Sequence, residues 1–354
     1  MEGTEPSTIP SRPALAATAD RQLSSPFFSV LPPEIRRMIY AQLWRHRRLH
    51  PDARDQTDER CLKYHIIKHE SDSGYAHSPC VVSDQTAPDL RSQSLAAFPR
   101  PCPQSQIWAD RIESDWAIHW PCEEVRKKHA SSHRRPSRSS FMSPLLTCKM
   151  MYLECADSIY STLTFVFTGL MTAESFISSF PLGTFRSLEL AVGVPLVLRE
   201  LYLPDTPMAT SQRSIPANFP FDRGNNPWAR LCAVLAGCGS GGLGKLNLWF
   251  DIRHLDGWTG RMWEREFFAD MWGVEVRGGK GEFLLALPEL DGREVERRRE
   301  REGVGEESYL VGEVLEGAPF RVVRCARPDY WEAHLARIRA RQDVLTIDPP
   351  VHGS

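Results

Sequence analysis

Cys61, His65, His69, His77 and Cys80 are of the types that ligate a transition metal, and they fall within twenty residues of one another. Cys61-x-x-x-His65 and His77-x-x-Cys80 would place two thiolates and two imidazoles around a short loop, a donor set suited to zinc. His65 and His69, four apart, would share one face of a helix. Against this, neither pair is the tight Cys-x-x-Cys knuckle, and histidines are common in solvated loops. The stretch is therefore read as solvated chain with no metal and no cofactor assigned. Cys61, His65, His77 and Cys80 are the candidate ligands should zinc bind.

Other chemistry is weaker still. Gly239-Ser240-Gly241-Gly242-Leu243-Gly244-Lys245 has the spacing of a phosphate-binding loop. Such a loop needs Ser or Thr after the lysine, and here Leu246 follows. It also needs a strand before it and a helix after it, the reverse of the order expected here, so no helix N-terminus would face a phosphate. The glycines are read as a helix end and turn. Arg126-Lys127-Lys128-His129 and Arg134-Arg135-Pro136-Ser137-Arg138 form a basic cluster with the composition of a nuclear-import or nucleic-acid patch. No Gly-x-Ser-x-Gly elbow and no His-Glu-x-x-His occurs, and the acidic residues sit in charged runs such as Glu294 to Glu302. No catalytic residue and no small-molecule substrate is assigned.

The whole chain bounds these readings. A net charge of -2 over 354 residues gives no global attraction to nucleic acid or to an anionic membrane. The opening Met1-Glu2-Gly3-Thr4-Glu5-Pro6 has no basic start and no apolar run, so it is not read as a secretory signal. No apolar run is long enough to span a bilayer. Nine scattered cysteines, an odd number, fit reduced thiols better than a disulfide framework, so an intracellular protein, cytoplasmic or nuclear, is expected. Cys148 and Cys155 fall on the apolar side of an expected helix and are read as small buried hydrophobes. With 27 prolines and a mean hydropathy of -0.36, part of the chain is expected to lack structure.

The elements that would position any site divide the chain into a disordered tail over 1–24, a first helix within 25–48, a low-order insertion over 49–140, a helix and α/β domain over 141–345, and a tail over 346–354. In the first helix Pro33 suits the opening turn and Glu34 the positive helix end, while Ile35, Met38, Ile39 and Leu43 share one face. Within the insertion, Ile107-Trp108-Ala109 and Trp116-Ala117-Ile118-His119-Trp120 would form a short helix docked by its indoles. Ser143 and Pro144 would start a second helix, with Leu145, Cys148, Tyr152, Cys155 and Ile159 on its apolar face, running into the strand Thr162–Phe167. Leu31, Ile35 and Ile39 would then face Leu145, Tyr152 and Ile159. Further on, strands are expected over 185–192, 245–252, 274–276 paired with 283–287, and 319–325. Helices are expected over 172–177, 227–236, 262–268 and from Pro328, with Trp331, Leu335 and Ile338 inward. Alternating helices and strands give an α/β fold with a mostly parallel sheet, α+β being the other arrangement the order allows.

Two blocks carry a resemblance. Leu31-Pro32-Pro33-Glu34-Ile35-Arg36 followed by Ile39-Tyr40 and Leu43 resembles the first helix of an F-box-like motif. Leu145-Leu146-Thr147-Cys148-Lys149, then Tyr152, Tyr160-Ser161 and Phe165-Val166-Phe167, is similar to the second signature block of a large family of uncharacterised filamentous-fungal proteins, with Lys149 where that family carries Arg. The resemblance implies a helical hairpin followed by degenerate leucine-rich-repeat-like units. It also implies a non-catalytic interaction protein whose Leu31, Pro32, Ile35, Ile39 and Leu43 dock a groove on the Skp adaptor of a cullin–RING ubiquitin ligase. A stand-alone scaffold with no ligase link, and a zinc-containing nucleic-acid binder built on the basic Cys/His insertion, are the other readings.

Overall fold

A computed structural model describes residues 12–47, 60–68, 74–82, 103–131, 141–180, 184–193, 226–239, 242–251, 267–288, 317–325, 333 and 335–338. Its centre is a seven-stranded sheet of β3 (Lys63–Lys68), β4 (Tyr75–Pro79), β5 (Thr164–Phe167), β6 (Ser187–Gly193), β7 (Lys245–Asp251), β8 (Phe283–Pro288) and β9 (Arg321–Cys325). Their spatial order is β4-β3-β5-β6-β7-β8-β9. Only the β3–β4 pair, at one edge, is antiparallel; the rest are parallel, and from β5 onward each strand lies beside its successor. The fold is α/β with a mostly parallel sheet. A separate two-stranded ribbon joins β1 (His46–Arg47) to β2 (Arg60–Cys61).

Side-chain alternation splits the sheet into two faces. Tyr64 and Ile66, Phe165 and Phe167, Leu188 and Leu190, Leu246 and Leu248, and Phe283 and Leu285 point to the larger core. That core is closed by α3 (Pro33–Trp44), α7 (Lys149–Thr162), α8 (Leu170–Ser178) and α9 (Pro227–Gly239). The intervening positions, including Lys63, His65, Val166 and Glu189, face the other way. There α4 (Pro103–Ile112), α5 (Trp120–Ser131) and the helical residues 335–338 bury Trp108, Trp116, Ala333 and Ala336. The stretch 49–140, read from sequence as low-order, thus supplies two sheet strands and most of the second layer. Composition hid this because its apolar residues are spread over several short elements.

Other expectations need correcting. The tail expected over 1–24 is helical at α1 (Arg12–Ala17), and beyond it the Lys149 Nζ donates to Thr18 Oγ1 at 3.0 Å. The single helix expected from Pro144 breaks into α6 (Met142–Leu145) and α7, because Cys148 takes an extended conformation and its Sγ accepts from Met151 N at 3.4 Å, capping α7. Cys148 is therefore half-buried at a helix start, while Cys155 is buried as expected. Val274–Val276 is not a strand; β8 finds its neighbours in β7 and β9. Leu335 and Ile338 face outward relative to Ala333 and Ala336, which carry the last helix's packing. The charged segment 294–302, Trp331 and the tail 346–354 lie outside the described residues.

Candidate metal centre and helix face

On the second face of the sheet the side chains of His65, Cys80, His119 and Cys122 converge. All four are buried, and one donor atom from each lies within 4.8 Å of the others. Two come from the β3–β4 hairpin: His65 from the middle of β3, and Cys80 just past β4, where its N–H donates to Lys63 O at 3.0 Å. The other two come from a tight turn entering α5 and from the first turn of α5 itself. Ser114 Oγ accepts from Trp116 N at 3.1 Å and donates to Glu123 at 2.6 Å, and Ala117 is held at φ 49°. A residue with a Cβ rarely occupies that left-handed region, and such strain persists where surrounding contacts enforce it. The turn brings His119 beneath β6 and places Cys122, three residues on, beside it. Cys80 Sγ lies 3.4 Å and Cys122 Sγ 3.9 Å from His119 Nδ1, and the two sulfurs are 3.8 Å apart. Cys80 Sγ also lies 3.6 Å from Val82 O, and Val81 N–H donates to Cys122 Sγ at 3.3 Å.

Behind the donors sits a buried charge pair. Glu189 of β6 accepts from Lys63 Nζ at 2.6 Å and contacts His119 Nε2 at 2.9 Å. Although burial opposes it, His119 and Lys63 hold the Glu189 carboxyl well below the usual carboxylate range. Burial alone would lower His119, but its bonds to Cys80 and Glu189 outweigh that and carry it up to about 9. Burial, and then the neighbouring His119, push His65 well down, so its imidazole is neutral. The Cys122 hydrogen bond and burial push the Cys80 thiol up. Both ring nitrogens of His65 are buried without a hydrogen-bond partner among the described residues, although the ring packs against Trp116 at 4.6 Å and edge-on to His119 at 4.7 Å.

Of the four candidate ligands named from sequence, the structure brings together His65 and Cys80. Cys61 lies in β2, its backbone paired with His46. His77 stands opposite Ile66 in the hairpin and packs at 4.9 Å against Phe141, on the opposite face from His65. Alternation along the strand is the reason: neighbours of opposite parity cannot share a site. His119 and Cys122 were missed, though His119-x-x-Cys122 is a ligand-like spacing that a search restricted to one loop overlooks.

The helix α3 makes a second feature. Its buried side is Arg36, Tyr40 and Trp44. The Arg36 guanidinium grips Glu154 of α7 with Nε–Oε2 2.9 Å and Nη2–Oε1 2.5 Å, Tyr40 OH donates to Glu154 at 2.9 Å, and Trp44 Nε1 donates to Ser158 Oγ at 3.0 Å. The expected packing of Leu31, Ile35 and Ile39 on Leu145, Tyr152 and Ile159 is thereby reversed. Ile35 is 41% exposed, Met38 65% and Leu43 47%; Leu31 and Ile39 are half-buried and Pro32 is exposed. A bidentate ion pair plus two ring donors on one side made the polar stripe the better inward face.

This junction has a pH signature. Hydrogen bonds from Arg36 and Tyr40, and the nearby charges of Arg36 and Arg37, outweigh burial and lower the Glu154 carboxyl. A carboxyl lowered on folding stabilises fully above its unfolded value and loses that contribution as pH falls below it. The urea midpoint should therefore fall between about pH 5 and about pH 3 by more in the wild type than in Glu154→Gln. Parallel curves for the two proteins would place the pair in water-like surroundings.

The glycine-rich stretch follows α9 and precedes β7, a helix-to-strand order, the reverse of a phosphate-binding loop. In the basic cluster, Arg126 lies 5.8 Å over the Trp116 ring and Lys127 pairs with Glu123 at 2.8 Å, so two of these cations serve α5 and the turn before it. Residues 134–138 lie outside the described residues. Among the described residues no helix is long and apolar enough to cross a membrane.

An α/β layer whose second face encloses two imidazoles and two thiols thus defines the class. The chain belongs to the family of the domain of unknown function DUF7730, whose model matches residues 20–288. That span takes in α3, the four converging donors and the sheet through β8. No curated protein and no solved structure matches the chain.

Proposed function

We propose that this chain is a non-catalytic protein-interaction module, F-box-like as in the filamentous-fungal proteins it resembles. Its α3 and the two residues before it would present Leu31, Pro32, Ile35, Ile39 and Leu43 to the groove of a Skp adaptor in a cullin–RING ubiquitin ligase. The observation that carries the reading is the division of α3 into one used and one open side. Its aromatic and arginine side is consumed by α7, while Ile35, Met38 and Leu43 are left in solvent on the other. A helix with aliphatic anchors at three- and four-residue steps is the form that enters a hydrophobic groove. Clustered exposed aliphatic groups cost solvation that association recovers.

The test is capture of purified Skp adaptor by the full chain and by Ile35→Asp and Met38→Asp. Because both side chains face solvent, each variant should fold with a stability change within about 1 kcal/mol. The expected result is capture by wild type and its loss in both variants. No capture by wild type would remove the ligase link and leave a stand-alone scaffold.

A further inference from the structure

We propose that His65, Cys80, His119 and Cys122 bind one zinc ion in a closed, structural N2S2 site that clasps the β3–β4 hairpin to the α5 layer. The proposal is independent of what α3 binds.

The geometry is that of a tetrahedron. With Zn–S of about 2.3 Å and Zn–N of about 2.0–2.1 Å, a tetrahedral ion sets its sulfurs about 3.8 Å apart and each sulfur about 3.6 Å from a ligating nitrogen. The sulfurs here are 3.8 Å apart, and His119 Nδ1 stands 3.4 and 3.9 Å from them. A disulfide would need its sulfurs at about 2.05 Å. One ring nitrogen of His65 completes the set within the same 4.8 Å compass.

The surroundings point the same way. An imidazole buried with neither nitrogen partnered among the described residues is rarely left so, and a cation supplies the missing partner. His119 turns Nε2 to Glu189 and Nδ1 to the sulfurs, the arrangement in which an outer carboxylate fixes a ligating histidine's tautomer and direction. Val81 N–H reaches Cys122 Sγ, a donor that stabilises a thiolate. The charges also close: two thiolates neutralise one divalent ion, and Lys63 neutralises Glu189. On binding, each thiol loses its proton to solvent and no electron moves. Two thiolates with two imidazoles select zinc over magnesium or calcium, which take oxygen ligands. With all four donors buried, no position remains for a reacting water, which marks the site as structural.

The test uses the full chain purified without metal-affinity resin. Elemental analysis should find about one zinc per chain, and a thiol-blocking mercurial should release it. Cobalt exchanged into the wild type should give the thiolate-to-cobalt charge-transfer absorption of a tetrahedral site, a readout that needs no variant. Cys122→Ser and His65→Ala should each lose the zinc, while Cys148→Ser, at the start of α7, should keep it. Zinc below about a tenth of an equivalent that does not rise on reconstitution would overturn the proposal. So would cobalt binding without thiolate absorption, or a Cys80–Cys122 disulfide found by peptide mass analysis.

Discussion

Glu189→Ala should cost about 3–5 kcal/mol of folding stability, the scale for removing one member of a buried ion pair. Glu189 is 6% exposed and holds Lys63 Nζ at 2.6 Å and His119 Nε2 at 2.9 Å. Without the carboxylate, the Lys63 ammonium stays buried in the sheet without that counter-charge, and the His119 ring loses the acceptor that aims it. Glu189→Gln keeps an acceptor and loses only the charge, so its cost should be smaller, about 1–3 kcal/mol. Adding Lys63→Met to Glu189→Ala should recover part of the loss, because the surviving charge is then gone and the replacement is apolar. Urea midpoints at constant slope measure all three, and a double-mutant cycle isolates the pair. A Glu189→Ala cost under about 1 kcal/mol would mean that water reaches the charges and that the second face is less tightly closed than its packing implies.

Trp228→Ala should be about as severe, about 3–5 kcal/mol, for a different reason. Trp228 opens α9, is fully buried, and lies flat on Phe267 with ring centres 5.1 Å apart. Phe250 and Phe268 meet it edge-on at 4.9 and 6.1 Å, and its Nε1 donates to Phe267 O at 2.6 Å. Truncation leaves a cavity among three phenyl rings that cannot collapse, since Phe250 is fixed in β7. Trp228→Phe fills most of the space and should cost about 1–2 kcal/mol, mostly the lost hydrogen bond to a buried carbonyl. Equal costs for Ala and Phe would shift the weight from packing to that single bond.

How much of this the sequence carries depends on distance along the chain. Strands such as Lys245–Asp251 and the start of α3 at Pro33 are legible, because alternation and a fixed proline φ are local signals. Which side of α3 goes inward is not local. Hydrophobicity favours Ile35, Met38 and Leu43, yet the partner that decides is Glu154, 118 residues away, and nothing near Arg36 announces it. The metal-type cluster fails in the same way. His65 and Cys80 are legible as donors, whereas joining them to His119 and Cys122 requires knowing that the intervening chain returns across the sheet. Excluding His77 requires only the register of one hairpin, in which His77 stands opposite Ile66.

The parallel pairing of β3 with β5 has a consequence during synthesis. Lys63 aligns with Thr164, so a strand made early must wait for a neighbour about a hundred residues behind it. At translation rates of about 5–20 residues per second, the wait is about 5–20 s. Through that interval β4 covers one edge of β3, and the other edge, with Ile66 and Ile67, is open to the chains of other nascent proteins. Lys63 and Lys68 stand at its two ends, the positions where charge discourages pairing with a stranger. In the finished sheet Lys63 turns inward to Glu189; before β5 is made, the same ammonium would stand at an unfinished edge.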